Sequence, residues 1–292
     1  MRVALSVAIA VLIPATAVAH GVDARLTSDP RVFSLWDQAA LAGLTFVGTL
    51  YWIGVRELRA RRAGPSPIER AAFGAGWLAL VASILPWFDA AALELFSAHM
   101  AQHELMMLVG APLIVAGRPL PTCLWALPET WRRRIALPLQ RRTVASLART
   151  IAAPVTAWTL HGLVVWIWHA PGLYELAVRS EPVHMLQHAM FISTSVLFWW
   201  GLLYGRYGRA GYGAAVFYVF TTAIHTGILG AMLTFAPSPL YGVYAMPGHN
   251  DPLGDQQLAG LVMWIPAGLL LTMMGVGLFA AWLGESERRA AT

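Results

Sequence analysis

Seven stretches of about twenty mostly apolar residues recur along the chain, each long enough to cross the roughly 30 Å hydrocarbon core of a bilayer as a helix. They cover residues 37–55, 69–88, 96–116, 151–169, 183–204, 212–235 and 257–282. The connectors between them carry helix breakers and charge. Arg59-Ala60-Arg61-Arg62-Ala63-Gly64-Pro65 separates the first two, Gly117-Arg118-Pro119-Leu120-Pro121 ends the third, and Ala236-Pro237-Ser238-Pro239 ends the sixth. The pattern predicts an all-α, polytopic membrane helix bundle of seven spans over residues 37–284.

Composition agrees. Charged residues make up 12% of the chain, half of the roughly 25% that a water-facing surface requires, so the predicted solvent is membrane lipid. The net charge of +5 is distributed as orientation demands, and no nucleic-acid partner is expected from it. Arg56, Arg59, Arg61, Arg62, Arg70, Arg118, Arg132, Arg133, Arg134, Arg141, Arg142, Arg149, Arg206, Arg209, Arg288 and Arg289 fall on one side, against Arg25, Arg31 and Arg179 on the other. The positive-inside rule makes the first side cytoplasmic, with the mature N-terminus outside and residues 285–292 a cytoplasmic tail. A single cysteine, Cys123, excludes an internal disulfide.

The N-terminus reads as a secretory signal over residues 1–19: Arg2, an apolar stretch Val3–Ala15, and a small-residue cleavage site at Ala17-Val18-Ala19. Cleavage there leaves a short periplasmic segment, 20–36, that begins with His20. An N-terminal histidine offers amine and imidazole together, a bidentate copper ligand. No Gly-rich phosphate loop and no soluble domain of catalytic size is present, so no enzyme reaction is expected. The long basic connector, 117–150, reads as an interfacial amphipathic segment.

On this topology the histidines gather at one face. His20, His99, His103, His169, His184, His188 and His249 lie at or near the outer side, and His161 and His225 near mid-membrane. Polar residues within spans are costly and mark functional sites. One motif occurs twice, His99-Met100-Ala101-Gln102-His103 and His184-Met185-Leu186-Gln187-His188, each opening a span that runs inward. Spacing of i,i+4 places both imidazoles of a motif on one helical face, about 6 Å apart along the axis, the arrangement in which two histidines share a metal. Each motif follows an outer turn rich in aromatics, Pro86-Trp87-Phe88 or Trp166-Ile167-Trp168-His169, which points to two parallel hairpins with a site between them.

His99, His103, His184 and His188 are the primary candidate ligands, with His169, Asp255, Met100, Met185 and His20 as further members. Histidine with methionine favours copper, and thioethers favour Cu(I); zinc would accept the same histidines. Gln102, Gln187 and Glu104 are candidates to orient the ligands from behind. Asp255 also suits a helix N-cap. A haem alternative places iron between His161 and His225. A third alternative, a copper transporter, predicts ligands continuing to the inner side, where the sequence has few.

The same stretches resemble the CtaG-type (Caa3/CtaG) cytochrome c oxidase assembly factors, a family of seven-span bacterial membrane proteins. Both doubled motifs carry the likeness, the first running on to Gly110-Ala111-Pro112-Leu113 and Gly117-Arg118-Pro119, the second to Leu197-Phe198-Trp199-Trp200. So do His169-Ala170-Pro171-Gly172-Leu173-Tyr174 and Asp255-Gln256-Gln257-Leu258-Ala259-Gly260 with Met263-Trp264. The resemblance covers about residues 35–285. It implies a role in maturing haem-copper oxidases in the bacterial inner membrane, with copper as cargo and an oxidase subunit as partner.

Overall fold

A computed structural model describes residues 34–205, 211–245 and 250–290 of the chain. The expected signal over 1–19, most of the 20–36 segment, and with them His20, lie outside the described residues, as does His249. The described chain is an all-α bundle. Its helices are α1 (Leu35–Ala60), α2 (Pro67–Ser83), α3 (Pro86–Glu94), α4 (Phe96–Ala116), α5 (Pro119–Trp125), α6 (Glu129–Gln140), α7 (Arg142–Ile151), α8 (Pro154–Trp168), α9 (Pro171–Arg179), α10 (Glu181–Tyr204), α11 (Gly211–Thr234) and α12 (Pro252–Ala290). The first two start on capping boxes: Ser34 with Asp37, and Ser66 with Glu69 followed by Pro67.

Four helices, α1, α10, α11 and α12, are each long and apolar enough to cross a membrane. Three bent pairs meet the same test together: α2 with α3 (53°), α4 with α5 (55°) and α7 with α8 (57°). The spans therefore number four to seven. Each bend falls just before a proline, at Pro86, Pro119 and Pro154. Proline has no N–H to give the preceding turn and drives the residue before it out of helical geometry. The straight span expected over 69–88 accordingly ends at Ser83, and the one expected over 151–169 is entered through the amphipathic α7. Pro266 sits within α12 without ending it.

The distribution of side chains is that of a bundle in lipid. Phe217, Phe220, Ile224 and Ile228 form an exposed apolar stripe on α11, while Ser83, Gln102, Gln187 and Ser195 are buried inside. Close helix approach depends on small residues. A Cβ on Gly260 of α12 would fall 2.4 Å from Thr234 Oγ1 and 2.7 Å from the Gly230 carbonyl of α11.

One irregularity reaches the site. Helix α4 widens into a π-helical turn over Leu105–Gly110, where the Ala111 N–H bonds back to the Met106 carbonyl. The register slip leaves the Met107 carbonyl without its usual helical donor, and Pro112 has no N–H to replace it. The Trp199 indole of α10 donates to that carbonyl at 2.8 Å. α4 and α10, the two helices that carry the doubled histidine motif, are thus pinned together one turn inward of the histidines.

Candidate metal centre

His99 and His103 occupy successive turns of α4, and His184 and His188 successive turns of α10. The two helices face each other, so the four imidazoles form a closed ring. Ring centroids lie 4.5 Å apart for His99–His103 and 3.9 Å for His184–His188 along each helix. Across the helices they lie 5.1 Å apart for His99–His184 and 5.2 Å for His103–His188. One nitrogen from each histidine lies within 4.8 Å of all the others, and all four side chains are buried. Among the described residues this group holds the four histidines and no carboxylate.

Hydrogen bonding fixes the tautomer of one member. The Tyr244 hydroxyl donates its only proton to the Ala92 carbonyl at 2.8 Å. Toward His99 Nδ1, 2.9 Å away, it can therefore only accept, so Nδ1 carries the imidazole proton and Nε2 presents its lone pair. That Nε2 lies 3.2 Å from His103 Nε2. Two nitrogens bound to one tetrahedral metal at about 2.0 Å stand about 3.3 Å apart, so this edge already has the spacing of a coordination shell. Four imidazoles, buried and thiol-free, form a donor set for Cu(I), Cu(II) or Zn(II).

The start of α4 is held from outside. Both carboxylate oxygens of Asp255 are engaged there: Oδ2 accepts from the Phe96 N–H at 2.7 Å, and Oδ1 accepts from the Ser97 N–H at 3.2 Å and from the Ser97 hydroxyl. Asp255 does cap a helix, but it caps α4 rather than its own. At the start of α12 the Gly254 N–H turns instead to Asp251. This places Asp255 one turn before His99 as an anchor for the ligand helix.

The remaining predicted residues surround the ring at different depths. His169 donates Nδ1–H to the Val165 carbonyl at 2.6 Å, leaving a buried Nε2 with no hydrogen-bond partner among the described residues. Its ring is 6.3 Å from both Tyr174 and Phe191, which in turn lie 5.2 Å from His99 and 4.8 Å from His103. Aromatic side chains therefore stand between His169 and the ring. Gln102 donates to the Ser83 carbonyl at 2.6 Å, tying α4 to the end of α2, and Gln187 is fully buried with neither amide atom bonded to a described residue. Met100 packs in the apolar core with Phe96, and Met185 is half-buried. Glu104 and His161 lie deeper, along one cavity, and His225 packs edge-on to Trp158.

The spacing of His and Met gives no sign of Tyr244. It arrives from the loop between α11 and α12, where a short 3₁₀ turn, Gly242–Tyr244, turns it inward. Tyr241, three residues earlier, donates to the His169 carbonyl at 2.8 Å. Burial pushes its phenol well above the ordinary tyrosine range, so it remains a donor. The available signal was compositional: two tyrosines three apart in an otherwise Gly/Pro-rich loop, each with an apolar body and a polar tip.

With this geometry in place, the family match is decisive: residues 49–285 fit the model of the cytochrome c oxidase caa3 assembly factors. The chain belongs to that family. Three mycobacterial proteins are similar to this caa3 assembly factor family member along most of its length. They are uncharacterized protein Mb0105 of Mycobacterium bovis, MT0111 of Mycobacterium tuberculosis and ML1998 of Mycobacterium leprae, each 26% identical over 89% of this chain. The chain spans 41% of the length of these relatives. No solved structure matches.

Proposed function

We propose that this assembly factor binds copper at the four-histidine ring and supports its insertion into a haem-copper oxidase subunit. The observation that carries the reading is the convergence of four buried imidazoles, two from each copy of a repeated motif. It is joined by the family's role in oxidase assembly. With the seven spans and outside N-terminus expected from the sequence, the ring would lie near the outer face of the bacterial inner membrane. His99, His103, His184 and His188 are the ligands. His169, separated from the ring by Tyr174 and Phe191, is a further buried nitrogen donor. Transfer proceeds by exchange of ligands, with no bond chemistry of the protein's own.

The cavity beside His161 has about 50 Å³, too little for a porphyrin, so haem between His161 and His225 draws no support from it. The test is bound metal and visible spectrum of detergent-purified protein, wild type against His99→Ala/His184→Ala. Copper in the wild type that disappears in the double variant supports the ring. A Soret band in the wild type would replace copper with haem, and full oxidase copper content in cells carrying the double variant would refute the delivery role.

A further inference from the structure

One helical turn along α4 from the ring lies a cavity of about 50 Å³ whose lining includes Glu104, Met107, His161, Thr222, Thr226 and Met263. These side chains come from α4, α8, α11 and α12. The cavity begins where α4 adopts its π-helical turn, a distortion that often marks functional positions.

Electron-pair donors make up half of its lining; the rest, Leu108, Val165, Phe198, Ala267 and Leu271 with Trp199, is apolar. Glu104 makes no hydrogen bond or ion pair with any described residue. His161 is 8% exposed, and its buried Nδ1 has no hydrogen-bond partner among the described residues. Thr222 donates its hydroxyl proton to the Tyr218 carbonyl at 2.7 Å, and Thr226 donates to the Thr222 carbonyl at 2.9 Å. Both hydroxyl oxygens therefore retain only lone pairs for the cavity. Trp199, also on its wall, spends its one N–H on the Met107 carbonyl. A carboxylate, two hydroxyl oxygens, an imidazole and two thioether side chains suit a cation and offer little to an anion. Thioether and imidazole donors select a soft cation over sodium or magnesium.

We propose that this cavity is a second cation site, which holds a Cu(I) ion inward of the four-histidine ring through His161, Met107, Met263 and Glu104. The choice of copper as the occupant rests on the function proposed above; the donor chemistry of the cavity does not. His99, His103 and Met107 follow one another at intervals of four along α4, so the two sites are joined by a ladder of donors about 6 Å per step. One chain then carries two copper ions, one in a nitrogen shell and one in a shell containing sulfur.

The test is anaerobic titration of the full-length, detergent-purified protein with Cu(I) against a chromophoric chelator, with X-ray absorption at the copper edge. Met107→Leu/Met263→Leu is the main variant, because leucine keeps the apolar volume, and His161→Gln is the second; size-exclusion elution and far-UV circular dichroism check folding. Wild type is expected to bind two equivalents. Each inner variant should bind one, and sulfur scattering should disappear in Met107→Leu/Met263→Leu. His99→Ala/His184→Ala should lose the other equivalent and keep the sulfur shell. One equivalent in the wild type, unaffected by the inner variants and lost in His99→Ala/His184→Ala, overturns the second site and leaves the ring standing. Two equivalents unaffected by the inner variants overturn it equally. One equivalent lost only in the inner variants upholds the cavity and refutes the ring.

Discussion

Tyr244 decides what His99 can do. Its hydroxyl is committed to the Ala92 carbonyl, so the tyrosine oxygen can only accept a hydrogen bond from His99 Nδ1–H, and the other nitrogen faces the ring as a base. Removing that oxygen frees the imidazole to rotate or change tautomer. Tyr244→Phe is expected to weaken copper binding about 10- to 100-fold while leaving the secondary structure intact, measured by chelator competition and circular dichroism. Unchanged affinity would mean that His99 is held by packing alone. Asp255 acts one step further from the histidine ring, by accepting two backbone N–H groups at the start of α4. Asp255→Ala should lower stability by about 1 kcal/mol or somewhat more, visible as a lower thermal midpoint in detergent, and Asp255→Asn should lose less because one amide oxygen still accepts. The four histidines were legible in the sequence because i,i+4 spacing is a property of one helix. Tyr244 and the clamp by Asp255 were not, because each joins residues some 150 positions apart and leaves no local period.

At the scale of elements, the contact between α4 and α10 contains a small conflict and its resolution. Pro112 cannot donate, the helix widens, and the Met107 carbonyl is left to the Trp199 indole. Trp199→Phe leaves that buried carbonyl without a donor and should cost about 1–3 kcal/mol. Combining it with Pro112→Ala supplies a backbone N–H and should recover part of the loss, so a double-mutant cycle by thermal unfolding is expected to be non-additive. Additive losses would show that the π turn has another cause. Apolar runs along the chain marked the helices well, since burial in lipid demands length. They marked the bends poorly. A run such as 69–88 stays apolar through Pro86, so hydropathy alone cannot separate α2 from α3, whereas the missing N–H of proline does.

For the whole molecule, arginine placement and the seven spans expected from the sequence predict that the C-terminus lies inside. A fluorescent protein fused after Thr292 should fluoresce, and alkaline phosphatase fused there should be inactive; the reverse pattern would require a different pairing of the bent helices. The two histidine pairs stand on α4 and α10, far apart in the chain and separated by the basic connector that contains α6 and α7. Any ion bound by all four imidazoles is therefore a cross-link between an N-terminal and a C-terminal half. A ligand present at about one hundred times its dissociation constant adds about 2.7 kcal/mol to the folded state. Copper should accordingly raise the thermal midpoint of the wild type and leave that of His99→Ala/His184→Ala unchanged. On the proposed copper reading, the ion would serve as a removable staple: handing it over would loosen the very seam that held it, so an emptied protein would differ mechanically from a loaded one, and a partner would tell them apart without touching the metal.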